Sequence, residues 1–329
     1  MRPFAGAQSS DVRALSFIGR HATRFMAVGV ILGLLAPPLA ALAQPMLIPT
    51  LLIPLTLALL RLDWRAILAY RHRAGIIAGL LAWLLIASPV LVWLATVPLV
   101  AWGLPVPLQH ALVLMAASSP IVSSVAVALI VGLDATFAVV GVLLATALVP
   151  LMLPPMALAL IGLQLDLSIP EFMARLGLLV GGAFAAAALI RRIVPPARLA
   201  SAHEFLDGLT VVNLVIFALA IMDGVTAFAL ERPGYAAVAT LAAFAFNLLL
   251  QAAAFFVFHG LGRRTALTAG LLSGNCNMGL VLVALQGRAD FDVTVFFALA
   301  QIPMYVLPAL LESTYRRMLS TSGKSVVSR

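Results

Sequence analysis

Two short clusters of polar residues lie inside otherwise apolar stretches, and their side chains are the ones best suited to binding chemistry. The first cluster is residues 118–124, with the sequence SSPIVSS, and the second is residues 273–277, with the sequence SGNCN. Hydroxyl, amide and thiol groups can bind a solute or an ion, but neither cluster contains a carboxylate or a histidine for general acid–base chemistry. The side chains that we expect to bind substrate or ion are Ser119, Ser123, Ser124, Ser273, Asn275, Cys276 and Asn277.

Isolated polar residues in the apolar stretches are weaker candidates. Asp223 and His110 could exchange a proton or contact a solute, as could the amides of Asn213 and Gln301. A carboxylate is costly in lipid, which makes Asp223 the most informative of them, although near a membrane surface it could simply touch water. The alternative for buried amides is a hydrogen bond between neighbouring helices, and it applies to Asn213, Asn247, Gln251 and Gln301.

The sequence carries no motif of an enzyme site. It has no HExxH, GxSxG or Walker A motif, and no GxGxxG between a strand and a helix. The single cysteine, Cys276, excludes an intramolecular disulfide and a CxxC metal or redox motif. We therefore expect no catalytic residue, no cofactor and no metal beyond a candidate sodium site, with sodium or a proton as the candidate coupling ion.

Composition indicates that the polar clusters lie in a membrane. Hydrophobic residues make up 63% of the 329 residues and charged residues only 10%, whereas soluble domains average roughly 45–50% and about 25%. The apolar residues form blocks of about 20 or more, as bilayer-crossing helices require. The net charge of +8 comes from basic residues that stand singly or in pairs between these blocks. This pattern predicts the lipid bilayer as a partner and excludes a nucleic-acid-binding face.

The apolar blocks predict an all-α integral membrane protein with ten transmembrane helices. The spans lie near 25–43, 46–61, 74–100, 107–131, 135–163, 173–190, 204–229, 234–259, 265–286 and 291–311. With both termini in the cytoplasm, the outer segments hold only Arg175, Arg232 and Arg288, which leaves 17 of the 20 basic residues inside. This agrees with the positive-inside rule.

Five spans precede the polar connector and five follow it, so the second half enters the membrane inverted relative to the first. Such inverted repeats occur in secondary transporters, where a pair of interrupted helices marks the binding site. The predicted organisation is a cytoplasmic N-terminal segment 1–24, a first five-helix repeat 25–163, a connector 164–172, a second five-helix repeat 173–311 and a cytoplasmic tail 312–329.

The fourth and ninth spans are predicted to be broken at corresponding places. Pro120 lacks an N–H and disfavours helical geometry at Ser119. Asn275 and Asn277 would point about 200° apart on a regular helix, so an unwound stretch between Gly274 and Gly279 is expected. The alternatives are a kinked fourth helix whose serines bond to their own backbone, and asparagines that only join neighbouring helices.

The arrangement resembles the bile acid:sodium symporter family over most of the chain after residue 25. The resemblance rests on the five-plus-five spans, on Ser119-Pro120 in the fourth span and on the sequence NMGL at 277–280 in the ninth. It implies a divergent bacterial-type member in the inner (plasma) membrane. It also implies a panel domain from spans 1, 2, 6 and 7 that moves against a core domain from the others, with the broken helices crossing at the substrate and ion sites.

The positions of the family's sodium ligands are mostly changed in this chain. Leu272 stands where sodium-coupled relatives have a Glu, Cys276 replaces a Gln, and the Ser-Asn pair of the first half falls at or near Val125-Ala126. Asn277 alone matches the pattern. We therefore expect sodium to contribute weakly or not at all, so proton coupling would have to use Asp223, His110 or the substrate itself.

The sequence as a whole predicts a secondary transporter of a small organic solute, an organic anion, working by alternating access. An auxin-efflux-like carrier is an alternative within the same class. A membrane sensor or ligand-binding scaffold that does not transport is an alternative of a different class, since a binder needs no coupling ion.

Overall fold

The protein is described by a computed structural model that covers residues 22–60, 70–162, 167–285 and 287–323. Within these ranges the chain is helical and forms no β-strand; the one extended pairing is an isolated bridge between Pro120 and Cys276. Most of the predicted N-terminal segment 1–24, part of the connector 164–172 and the end of the tail 312–329 lie outside the described residues.

The helices of the first half follow the predicted spans closely. They are α1 Ala22–Leu35, α2 Pro37–Ala43, α3 Leu47–Leu60, α4 Ala74–Ala82, α5 Ser88–Ala101, α6 Val106–Ala117, α7 Ser123–Val131 and α8 Ala135–Ile161. A π-helical turn, Trp83–Ala87, joins α4 to α5, and 3₁₀ turns occupy Gln44–Met46 and Tyr70–Arg73.

The helices of the second half likewise overlap the predicted spans. They are α9 Ile169–Ile193, α10 Pro196–Ser201, α11 His203–Ala220, α12 Val225–Glu231, α13 Pro233–Phe258, α14 Arg263–Gly274, α15 Met278–Leu285, α16 Phe291–Leu299 and α17 Gln301–Gly323. The last helix continues well past residue 311, where the tenth span was predicted to end.

Seven helical segments are long and apolar enough to cross a membrane, which makes this a membrane-embedded protein. They are Pro37–Leu60, Ala74–Ala101, Ala135–Ile161, Ile169–Ile193, Phe205–Glu231, Pro233–Leu261 and Phe291–Ser320. The predicted spans 25–43, 107–131 and 265–286 are not among them, because each coincides with a helix that is interrupted. The count of ten spans stays a prediction.

The chain divides into two compact units that do not follow the two halves of the sequence. Unit 1 contains residues 1–62 and 179–233, and unit 2 contains residues 63–178 and 234–329. Unit 1 therefore holds the predicted first, second and seventh spans and most of the sixth. This is the grouping that the family resemblance implies for the panel domain.

Unit 1 is built around α11, which packs against α1, α2 and α3. Its contact with α1 is close because Gly29 and Gly33 lie one turn apart: a Cβ on Gly29 would be 2.9 Å from the carbonyl oxygen of Val215, and one on Gly33 would be 2.7 Å from Cβ of Met222. Small residues at this spacing let membrane helices approach closely. The Arg191 guanidinium also donates to the carbonyl oxygen of Leu60 at 2.8 Å.

Unit 2 is built around the first broken helix. α6 packs against α5, α8 and α16, and α14 packs against α7, α8 and α17. The turn before α8 joins several of these elements: Asp134 accepts from the amide of Phe137 (2.9 Å) and from the hydroxyl of Tyr70 (2.7 Å), and its own amide donates to Thr268 (3.1 Å). Burial, followed by this hydrogen bond to Asp134, raises the pKa of Tyr70 to about 12. The phenol therefore stays a neutral donor at physiological pH.

We predict that Gly29→Leu destabilises the protein by about 1–3 kcal/mol, because any side chain at this position must displace the backbone of α11. The measurement is thermal unfolding in detergent. Gly182→Leu is the matched control, since Gly182 belongs to the same unit, is exposed, and has open space where a Cβ would lie, with no neighbouring atom within 4 Å. Equal stability of the two variants would contradict the close packing of α1 on α11.

Candidate functional site

The predicted break in the fourth span is present. α6 ends at Ala117, Ser118 is extended (φ −78°, ψ 156°), and α7 begins at Ser123. Pro120 contributes to the break, because proline cannot donate to a helical ladder and also restricts the residue before it. It is not sufficient by itself, since α8 continues through Pro150, Pro154 and Pro155. The five residues 118–122 lie outside both helices, and each of them is buried or half-buried.

The predicted break in the ninth span is also present and is shorter. α14 ends at Gly274 and α15 begins at Met278, which leaves residues 275–277 non-helical. The two asparagines bond within their own segment. Asn275 Nδ2 donates to the carbonyl oxygen of Leu271 (2.8 Å), and Asn277 Oδ1 accepts from the amide of Leu280 (3.4 Å). They satisfy the end of one half-helix and the start of the next, as capping residues do.

The two breaks meet through their backbones. The amide of Ile121 donates to the carbonyl oxygen of Asn275 (2.8 Å), and the amide of Asn277 donates to the carbonyl oxygen of Ser119 (2.7 Å). These reciprocal bonds flank Pro120 and Cys276, which form an antiparallel bridge. An antiparallel pair of this kind has local two-fold symmetry, so each break presents the same backbone groups to the other.

Side chains of adjacent helices support both half-helix ends that stop at the crossing. Ser88 Oγ donates to the carbonyl oxygen of Ala116 at the end of α6 (3.1 Å). Asn247 Nδ2 donates to the carbonyl oxygen of Gly274 at the end of α14 (2.6 Å). Since the last carbonyls of a helix have no partner within it, these donors satisfy groups that would otherwise be unpaired in a buried site.

Ser273 and Cys276 are held by protein groups. Ser273 Oγ donates to the carbonyl oxygen of Ala269 (2.7 Å) and accepts from the indole nitrogen of Trp83 (2.8 Å). The thiol of Cys276 lies 3.3 Å from the carbonyl oxygen of Ser273. Trp83 begins the π-helical turn, a feature that is frequent near functional sites. These side chains therefore shape the crossing and leave little capacity for a ligand.

Two serines of the polar cluster 118–124 have unsatisfied hydroxyls. Ser119 and Ser124 are 0% and 1% exposed, and neither Oγ has a hydrogen-bond partner among the described residues. Buried polar atoms are nearly always paired, so these two hydroxyls are candidates for a hydrogen bond to a water molecule, a ligand or an ion. Gln301 Oε1 and Tyr305 OH are the other unpaired buried side-chain atoms in the described part of the chain.

The two other side chains with unpaired buried atoms, Tyr305 and Gln301, both belong to α17. α17 packs against α14, and Arg263 at the start of α14 donates to the carbonyl oxygen of Met318 (3.3 Å). Gln301 begins α17, one turn before Tyr305, and its Nε2 donates to the carbonyl oxygen of Phe297 (3.1 Å).

The remaining predicted residues do not join the crossing contacts. Ser123 is half-buried and begins α7. His110 lies about 10 Å along α6 before the break, and interacts electrostatically with Asp290. Asn213 and Asp223 belong to unit 1. The amide of Asn213 donates to the carbonyl oxygen of Leu209 in its own helix (2.8 Å), and Asp223 is half-buried in the turn between α11 and α12.

Sequence reasoning missed Trp83, Ser88 and Tyr315 as supports of this site. A tryptophan or a serine in a long apolar span is indistinguishable from ordinary core or from a serine bonded to its own helix. The predicted cytoplasmic tail includes Tyr315, yet this residue is 5% exposed and belongs to α17. No local signal marks these residues, because their partners lie on other helices.

We predict that Asn277→Ala lowers the stability of the protein by about 1 kcal/mol, because it removes the side-chain cap of α15. Asn277→Ser is the control and should restore most of the loss, since a serine hydroxyl can also accept from the Leu280 amide. Chemical denaturation in detergent, followed by intrinsic fluorescence, measures both. If serine and alanine are equally destabilising, the capping role of Asn277 is wrong.

The sequence was also compared with family models and with curated proteins. Neither comparison finds a match. The similarity to the bile acid:sodium symporter family stays a prediction from the motifs, and the function has to be inferred from the residues of the crossing.

Proposed function

We propose that the protein is a secondary transporter that carries a small organic anion across the membrane by alternating access. The observation that carries this proposal is the crossing itself: two interrupted helices bonded to each other through their backbones, with the buried hydroxyls of Ser119 and Ser124 unsatisfied beside the bond. Non-helical backbone within a membrane protein is tolerated where it is surrounded by protein or lines a cavity. In secondary transporters such breaks form the substrate site.

Charge favours an anion at this position. α7 and α15 begin at the two breaks, and a helix N-terminus carries a partial positive charge of roughly half an elementary charge. The polar clusters 118–124 and 273–277 contain no Asp or Glu that would repel an anion. The hydroxyls of Ser119 and Ser124 can each donate one hydrogen bond to a carboxylate or a sulfonate.

The proposal includes the architecture of ten spans in two inverted repeats. Two features support it: the backbone bridge has local two-fold symmetry, and its supporting donors come from corresponding positions. Ser88 lies in the predicted third span and Asn247 in the predicted eighth, which are the third spans of their halves. In an inverted repeat the third spans of the two halves occupy equivalent positions, so both can supply a donor to the crossing even though the donor side chains differ.

The division into units supports an alternating-access mechanism. Both breaks belong to unit 2, and the complementary set of spans forms unit 1. We take unit 2 as the core domain that holds the substrate and unit 1 as the panel domain. Both would lie in the inner (plasma) membrane with the chain termini in the cytoplasm.

Sodium coupling is expected to be weak or absent. A sodium site in a protein takes several oxygen ligands, and a carboxylate usually balances its charge. Neither polar cluster contains a carboxylate. The proton is the other candidate coupling ion, with Asp223, His110 or the substrate itself as the titrating group.

We predict that Ser119→Ala and Ser124→Ala each reduce uptake of the substrate about tenfold or more while leaving thermal stability unchanged or slightly higher. Removing a buried hydroxyl that has no protein partner costs the fold nothing, whereas a ligand loses one hydrogen bond. Uptake of a panel of radiolabelled organic acids into proteoliposomes identifies the substrate and measures the loss.

Thr146→Val is the matched control for the serine variants, since its hydroxyl is buried but bonded to the carbonyl oxygen of Val142 (2.7 Å). It should keep transport. Normal transport by the serine variants would show that these hydroxyls do not belong to the substrate site. A protein that binds an organic acid but never moves it, under any ion gradient or membrane potential, would be a ligand-binding scaffold and the proposal would be wrong.

Replacing sodium by choline, at fixed membrane potential and pH, is predicted to leave the initial rate of uptake within about twofold. The reason is the absence of a carboxylate in either polar cluster. A steep and saturable dependence on sodium that Asn277→Ala abolishes would overturn this prediction and restore an ordinary sodium symporter.

A further inference from the structure

We propose that Tyr315, Gln251 and Asn247 are positioning residues of the substrate site, acting as a buried hydrogen-bonded relay that fixes the end of α14 at the crossing. The inference rests on the proposed function, in that the crossing is taken as the place where substrate binds. It extends the site to the part of α17 that the sequence assigned to a cytoplasmic tail.

The relay consists of three consecutive hydrogen bonds. The hydroxyl of Tyr315 donates to Gln251 Oε1. Gln251 Nε2 donates to Asn247 Oδ1 (2.6 Å), and Asn247 Nδ2 donates to the carbonyl oxygen of Gly274 (2.6 Å). The three side chains are buried, with Tyr315 5%, Gln251 8% and Asn247 3% exposed.

The relay has a single direction. A backbone carbonyl can only accept, so Asn247 must turn its Nδ2 toward Gly274, which leaves its Oδ1 to accept from Gln251. Gln251 then offers its Oε1 to the hydroxyl of Tyr315. Rotating either amide would place two acceptors or two donors against each other, so the relay fixes the rotamers of both amides.

The relay lies in a close contact between α13 and α14. α14 carries Gly270 and Gly274 one turn apart, facing Asn247 and Gln251, which are one turn apart on α13. A Cβ on Gly270 would lie 2.8 Å from the backbone oxygen of Gln251, and one on Gly274 would lie 2.6 Å from Asn247 Oδ1. The two helices are therefore in contact through backbone and amide atoms, and a change in one amide is transmitted to the other helix.

The relay ends next to the bond that joins the breaks. Gly274 is the last residue of α14, and the carbonyl of the following residue, Asn275, accepts from the amide of Ile121. A shift of the Gly274 carbonyl therefore moves the carbonyl that holds the first break. Through it the shift reaches Ser119, whose unsatisfied hydroxyl belongs to the proposed site. Tyr315 acts on the substrate through this chain and does not contact it.

The test compares Tyr315→Phe with Tyr235→Phe. Each variant removes only a buried phenol hydroxyl, and Tyr235 lies on the same helix as the relay amides but donates to the carbonyl oxygen of Asp292 (3.0 Å). Hydrogen–deuterium exchange of the full-length protein in lipid nanodiscs, read by mass spectrometry without substrate, should show exchange about tenfold faster in the peptides covering 118–122 and 271–280 for Tyr315→Phe alone. The KM for uptake should rise about fivefold or more, with the maximal rate retained.

A second variant separates the relay from a general loss of stability. Gln251→Met interrupts the relay at its centre, so adding Tyr315→Phe to it should produce no further change in exchange or in KM, because coupled residues are not additive. Additive effects of the two substitutions would overturn the proposal. So would hydrogen–deuterium exchange that is the same in Tyr315→Phe and Tyr235→Phe, or exchange in Tyr315→Phe that increases evenly along the chain. If the wild-type protein transports none of the tested acids, the proposed function fails while the exchange experiment still decides whether the relay positions the crossing.

Discussion

The structure of unit 2 depends on one requirement: backbone groups freed by a broken helix must find partners where water is scarce. An unpaired N–H or C=O in an apolar interior costs as much as a lost hydrogen bond or more. The breaks at 118–122 and 275–277 meet this requirement by bonding to each other, through Ile121 with Asn275 and through Asn277 with Ser119. Neither break would be tolerable alone, so the two half-helix pairs have to arrive at the same depth and in antiparallel alignment.

The packing around the crossing follows from this requirement. The bridge pairs only some of the backbone groups that the breaks leave without a helical partner. The last carbonyls of the half-helices need donors from other parts of the protein. Ser88 and Asn247 supply them from neighbouring helices. The glycines at 270 and 274 let α13 come close enough for the asparagine to reach. The helices that carry these donors are thereby held in register with the breaks, so the local demand for hydrogen bonds organises several helices.

The sequence predicts the breaks well and their partners poorly, and the reason is physical. Pro120 removes a helical donor and restricts Ser119, and two amides two residues apart cannot share one face of a helix, so local rules predict both interruptions. Proline alone does not decide the first interruption, because α8 continues through Pro150, Pro154 and Pro155. Trp83, Ser88 and Tyr315 act only because tertiary packing brings them to a particular carbonyl or hydroxyl, and no spacing in the sequence encodes that. The asparagines were expected to face a ligand or a neighbouring helix, yet Asn275 and Asn277 bond within their own segment. The last helix continues past residue 311, where the tenth span was predicted to end, and Tyr315 in this continuation is buried.

The difference between satisfied and unsatisfied hydroxyls shows how breaking a helix leaves a buried hydroxyl without a protein partner. Within the helices of unit 2 several hydroxyls donate to a carbonyl four residues earlier, as Thr146 does to Val142 and Ser273 does to Ala269. This bond requires a complete helical turn before the serine. Ser119 lies in the non-helical segment and Ser124 in the first turn of α7, so neither has such a carbonyl in helical position. The interruption that costs backbone hydrogen bonds thus also frees two buried hydroxyls, and under the proposed function a ligand that accepts from them would recover part of that cost.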